Sequence, residues 1–309
     1  MAFTNFGKLT DHQSTVWARD VWREARETSF FIRNFAGSDA NSMIHSIKEL
    51  REVKGAARAV ITLVPDLEGD GVVGDNQLEG NEEEIKAYDQ VFEYDQIRNA
   101  NRLEGRMADM RSIIAFRSNS RNLLAHWLAT RLDELFVLTA SGVSFDRKTN
   151  GAMRIGSQFP QLAFAPYVTA PSANRHFRWD GTALVPGSTG DITPTDLPSW
   201  EMLIDIKAKA VDSNIRPIRT EGGYEHFNVF MTGAGIAHLK KDPDFINAWT
   251  HAQKRGDENP LFKGTKRGGT TGFYIDGLNI MEYKQVYNTT GAPDGSKWGA
   301  DGDVDGQRI

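Results

Sequence analysis

About twenty residues between two strand-like runs constrain this chain most. Ala57 to Val64 (ARAVITLV) is rich in β-branched residues, and Ala87 to Ile97 (AYDQVFEYDQI) places Tyr88, Phe92 and Tyr94 on one face at period two. Both read as strands. The residues between them carry Gly69, Gly71, Gly74 and Gly80 and very few large apolar groups. A loop of that length with no core of its own is unusual inside a compact domain. It makes sense as the tip of a hairpin that projects outward and rests on a neighbouring molecule. Each strand would reach on the order of 30 Å at about 3.3 Å per residue.

Charge sharpens this reading. From Asp66 to Asp95 there are eleven acidic residues against one basic, Lys86; from Arg98 to Arg131 there are seven arginines against Glu104 and Asp109. Charge runs of this kind often mark no more than solvated faces. Here an acidic arm next to a basic segment points to pairing between copies. The candidate inter-subunit contacts are Asp66, Glu68, Asp70, Asp75, Glu79, Glu82, Glu83 and Glu84 on the arm. Their counterparts are Arg98, Arg102, Arg106, Arg111, Arg117 and Arg121.

After the arm, apolar residues recur at three- and four-residue steps from Met107 to Ala140, including Leu124, Leu128, Leu135 and Phe136. The spacing predicts a helix of roughly 50 Å at 1.5 Å per residue, capped by Gly142. The polar stretch Arg117–Arg121 is expected to mark a kink or a polar contact with a partner. Upstream, Ser14–Thr28 reads as an amphipathic helix with Trp17, Val21 and Trp22, followed by Phe30, Phe31, Ile32 and Phe35. That aromatic surface needs cover from its own domain or from a neighbour, so Trp17 and Trp22 join the contact candidates. Residues 149–198 read as an irregular, strand-containing insertion. Then come a helix at Ser199–Val211, a strand at Phe227–Met231, helices near Ala234–Lys240 and Asp244–Lys254, and a strand pair at Tyr274–Tyr287. The class is α+β.

Motifs for chemistry are weak. Gly69 to Gly74 matches GxGxxG, with Glu93 or Asp95 about twenty residues on, the spacing of a dinucleotide fingerprint. Against it, Asp70 would sit among the amides meant for a pyrophosphate, four residues separate strand from glycines, and the expected helix start is acidic. Asp66, Glu68 and Asp70 partly fit a calcium loop but have Gln77 at the twelfth position. Asp301, Asp303 and Asp305 fit the first half of one and remain weak metal candidates. His126 beside Trp127 reads as a packed or interface histidine. No HExxH or GxSxG occurs, and there is no cysteine for a thiol-based site. A net charge of −5 is too small to make the whole chain a nucleic-acid binder. No run approaches a membrane span, and the N-terminus lacks the pattern of a signal peptide. The chain reads as no enzyme, with no cofactor.

The segment Asp66–Ala100 (DLEGDGVVGDNQLEGNEEEIKAYDQVFEYDQIRNA) resembles the major capsid proteins of podoviruses related to the coliphage with the virion-borne RNA polymerase. LATRLDELFVLTASGV (Leu128–Val143), FNVFMTGAGIAHLKKDPDFINAW and NPLFKGTKRGGTTGFYIDGLNIMEY look like later segments of that family. The resemblance spans roughly Ile44 to Tyr283. It implies the Hong Kong ninety-seven (HK97-type) capsid fold. Residues 1–54 would be an N-terminal arm, and 55–103 an E-loop hairpin with an acidic tip. Residues 104–214 would form a peripheral domain with the spine helix, and 215–309 an axial domain. Family members continue past GQR, so the resemblance implies that the chain is truncated or processed at its C-terminus. The implied function is a shell of hexamers and pentamers around a phage genome. Portal, scaffold and decoration proteins would be partners, DNA would be held non-specifically at the inner face, and no membrane would be involved. The expected location is the virion, after assembly in the host cytoplasm. The alternatives are an encapsulin-like cellular compartment and, remotely, a dinucleotide-binding enzyme.

Overall fold

The computed structural model describes residues 11–39, 42–46, 58–64, 67, 69–93, 95–101, 116–219, 225–251 and 272–309. It opens with helix α1 (Asp11–Thr28) and the short helix α2 (Phe30–Phe35). Ser29 separates them because its hydroxyl accepts the Ile32 amide, which caps α2. A minimal parallel pair, β1 (Ala36–Gly37) with β2 (Ile44–His45), follows.

The predicted hairpin is present. β3 (Arg58–Leu63) pairs antiparallel with β4 (Tyr88–Glu93), with Val60 opposite Val91 and Leu63 opposite Tyr88. The second strand is shorter than expected because Asp95 turns away from the ladder. Its carboxylate instead accepts the Ala163 amide at 3.0 Å.

Helix α3 (Phe116–Ala140) is the described part of the long helix, about 37 Å at 1.5 Å per residue; residues 107–115 of the expected span lie outside the described residues. It runs through the polar stretch 117–121 as helix, so no break occurs there. Ser120 is buried, and its hydroxyl accepts Asn101 Nδ2 at 3.1 Å. Ser120, and Arg121 through Glu24, thus make contacts within the chain. Gly142 ends the helix as predicted, with φ +60°. The Val143 amide donates to Leu138 O at 2.9 Å and the Gly142 amide to Thr139 O at 3.1 Å, the paired bonds of a Schellman stop.

The expected insertion is a series of single 3-10 turns around one small hairpin, β5 (Phe177–Trp179) with β6 (Leu184–Pro186). Helix α4 (Trp200–Asp212), capped by Ser199, leads to β7 (Ile218–Arg219) and β8 (Glu225–Met231). Helices α5 (Gly233–Leu239) and α6 (Pro243–His251) and strands β9 (Gly272–Ile275) and β10 (Leu278–Glu282) complete the elements. The sheet order is β7-β8-β10-β9, with β8 and β10 parallel and β9 folded onto β10 through Asp276 and Gly277, both at positive φ. The last strand stops at Glu282, short of the expected Tyr287. Thr289, Gly291, Pro293 and Gly295 turn the chain instead, and residues 283–309 are stitched by isolated bridges such as Asn288 to Gln307.

Strand β10 is the wall between two cores. Leu278 and Ile280 join Met202, Leu203, Val229, Met231, Ile236, Leu239 and Phe245 on one side. Met281, one residue on and pointing the opposite way, joins Phe31, Phe35, Val137, Leu138 and Phe145 on the other. Residues after 215 therefore feed both cores. Each fully buried Leu, Ile, Phe or Met contributes about 1.5–3 kcal/mol.

Candidate inter-subunit surfaces

The hairpin arm is the part of the molecule whose shape its own chain does not explain. Val60, Val64, Val73, Leu78, Ile85 and Tyr88 are all exposed, Val73 by 78%. Its tip is held by local turns. The Gly69 amide donates to Glu83 Oε2 and the Gly80 amide to Glu82 Oε2, both at 2.7 Å, and Gly71, Gly74 and Gly80 take positive φ. No helix follows the glycines, and the flanking strands pair with each other, so no dinucleotide cradle is formed.

The arm's base is fixed where its tip is not. Ile97 packs against the second core, and Asp95 accepts the amides of Ala163 and Gln96. Those two amides hold its carboxyl below the usual carboxylate range, Ala163 contributing most. Asp95, one of two acids at the spacing of the disfavoured dinucleotide fingerprint, is a tether between the arm and the insertion.

The predicted contact residues scatter. Asp70, Asp75, Glu79, Glu82, Glu83 and Glu84 all lie exposed along the tip, and Arg98 is exposed just beyond β4. Asp66, Glu68, Arg102, Arg106 and Arg111 lie outside the described residues. Arg117 falls on α3 and Trp17 on α1. Arg121 has a partner in its own chain, Glu24 of α1 at 3.2 Å, where Val21 packs on Leu124 and Ala125. Trp22, on α1, is partly open to solvent, and His126 is exposed rather than packed. The aromatic run at Phe30–Phe35 is covered from within: Phe31 lies 4.2 Å from Phe136 and Phe30 stacks on Tyr283 at 4.6 Å, centroid to centroid.

Asp301, Asp303 and Asp305 do not make a metal cage. Asp305 pairs with Lys297 at 3.0 Å, and this hydrogen bond raises the lysine's pKa. No group of three or more potential ligands converges among the described residues. No helix among them is long and apolar enough to cross a membrane.

Sequence reasoning missed the residues that lock the long helix in place. Asp133, buried on α3, accepts Ser29 Oγ at 2.6 Å, the Phe30 amide at 3.0 Å, the Phe31 amide at 3.2 Å and the Tyr283 hydroxyl at 2.8 Å. It ties α2, α3 and the end of β10 together. Burial, and then the carboxylate beside it, push the Tyr283 hydroxyl's pKa far above its ordinary value. Glu134, next along, is buried between Arg131 and Arg154. A charged residue on an otherwise apolar helix face was the available signal for both.

Comparison with known proteins agrees with this architecture. A family model described as phage capsid protein matches residues 5–301. The major capsid protein of Pseudomonas phage KPP25 is 53% identical over 307 residues, 98% of this chain and 80% of that protein. The capsid of Ralstonia phage GP4 shares the fold at a TM-score of 0.68 and 24% identity, over 92% of this chain and 74% of that one. The capsid asymmetric unit of cyanophage Pam1 does so at 0.55 and 17%, over 93% and 73%. These relatives are phage capsids, not cellular compartments or enzymes. With its projecting hairpin, long helix and mixed sheet, the chain belongs to the phage capsid protein family, as a major capsid protein of the α+β HK97-type fold.

Proposed function

We propose that copies of the chain assemble as hexamers and pentamers into a closed icosahedral shell around the phage genome, with the hairpin arm as the strap between neighbours. The observation that carries this is the arm itself, acidic along its tip, apolar along its strands and covered by little of its own chain. Exposed strands and valines of this kind are an aggregation hazard in a solitary protein and a docking surface in an assembling one. The shell is assembled in the host cytoplasm and remains in the virion. Portal, scaffold and decoration proteins are its further partners, and DNA contact at the inner face is sequence-independent.

The test is charge reversal on the tip. Glu82 and Glu83 hold backbone amides, so the cleaner variant is Asp75→Lys, Glu79→Lys and Glu84→Lys together. Each exposed ion pair contributes at most about 1 kcal/mol, so the effect comes from repetition around the shell. Electron microscopy is expected to show shells from the unaltered chain and none from the variant, whose subunit stays folded. Normal shells from the variant would refute the role given to the tip.

A further inference from the structure

The hairpin after the long helix is held more firmly than its solvent-facing exit at residues 155–156 requires. Arg147 and Met153 face each other across an antiparallel bridge. The Lys148 amide donates to Ala152 O, and the Gly151 amide to Lys148 O, both at 2.9 Å; the Arg154 amide donates to Asp146 O at 2.8 Å. Gly151 is buried so closely that a Cβ there would lie 2.9 Å from Asn288 O. The Arg154 guanidinium is buried, paired with Glu134 of α3 and placed over the Phe159 ring at 4.6 Å. Burying an ion pair is costly, and here it fixes a hairpin whose exit, at Ile155 and Gly156, stands open to solvent.

What the frame presents is apolar. Ile155 is 97% exposed and Met153 49%. Gly156, at φ +67°, reverses the chain with open space around it. A lone exposed isoleucine on a mobile loop is ordinary. On a pre-ordered frame it can dock with little further loss of conformational freedom. Arg147, opposite Met153 on the ladder, forms no ion pair among the described residues. The surface of matching chemistry in this chain is the arm, acidic and studded with exposed Val73, Leu78 and Ile85.

We propose that the turn at residues 153–156 is a contact between copies, with Ile155 seated in the surface of a second copy of this chain. This rests on the shell-forming reading above. The chain has no cysteine, so Ile155→Cys supplies a single thiol that reports on this position alone. A maleimide is expected to label unassembled subunits rapidly and to label shells of the same variant at least ten-fold more slowly. Equal rates would overturn this contact while the shells themselves uphold the capsid reading. Ile155→Asp is expected to abolish shells with the subunit's circular dichroism and melting unchanged; shells in normal yield from it would likewise overturn the contact. No shells from the unaltered chain would count against the capsid reading, and this inference would fall with it.

Discussion

Tyr283 and Asp133, 150 residues apart in sequence, meet across the second core, where the phenol donates to the buried carboxylate at 2.8 Å. Through this one side chain on α3, the chain's first helices and its last strand are held to the same point. A hydrogen bond to a charged group contributes about 1.5–3 kcal/mol. Tyr283→Phe is therefore expected to lower subunit stability by about that amount in urea unfolding. Asp133→Ala, which strands every donor at once, is expected to cost more than Tyr283→Phe.

Arg154 and Glu134 are both nearly inaccessible to solvent. Removing one member of a buried pair costs about 3–5 kcal/mol, and Arg131 remains beside Glu134 to soften it. Arg154→Leu is expected to cost about 3 kcal/mol, and the Arg154→Leu, Glu134→Leu double variant less than the sum of the singles. A double-mutant cycle by thermal unfolding measures both.

Gly142→Ala forces a side chain into left-handed backbone, which costs about 1–2 kcal/mol. Its Cβ would also sit 2.5 Å from Thr169 O. The unfolding midpoint is expected to fall by more than for Gly156→Ala, where φ is also positive but nothing lies within 4 Å. Equal losses at the two sites would show that the close approach at Thr169 is immaterial.

His176 has its pKa lowered, chiefly by burial and then by the Arg308 charge. Folding therefore favours the neutral ring. Between its depressed folded pKa and the unfolded value near 6.5, the unfolded chain binds more protons, so stability drops as pH falls through that window. His176→Gln is expected to lose less stability than the parent between pH 7.5 and 5.5. An identical pH dependence for the two proteins would contradict it.

Much of the architecture was legible because it depends on neighbours in sequence. Period-two strands, the 3.6-residue recurrence along α3 and the glycine at its stop follow from local chemistry, and Gly142 sits as expected. The lock at Asp133 depends on residues 102 to 150 positions away, and no spacing rule reaches that far. Arg121, a candidate for contact with another copy on its charge, also meets Glu24 through the packing of α1, which no local pattern reveals. The aspartates at 301–305 had the spacing of a cation loop, and Lys297, folded back by the turns after Tyr287, was the unforeseen neighbour. Tyr287, at the end of the expected strand pair, packs into the second core from irregular backbone beyond β10.

The exposed arm divides what natural selection can see. A substitution on β10 or at Asp133 is judged by whether the subunit folds at all. Under the strap role proposed for the arm, a substitution at Val73 or Glu84 is judged in company, when a lattice of copies closes or fails to close. On that proposal one gene product carries two separable kinds of fitness, and a virus retunes how its particles close by editing the arm without endangering the fold that presents it.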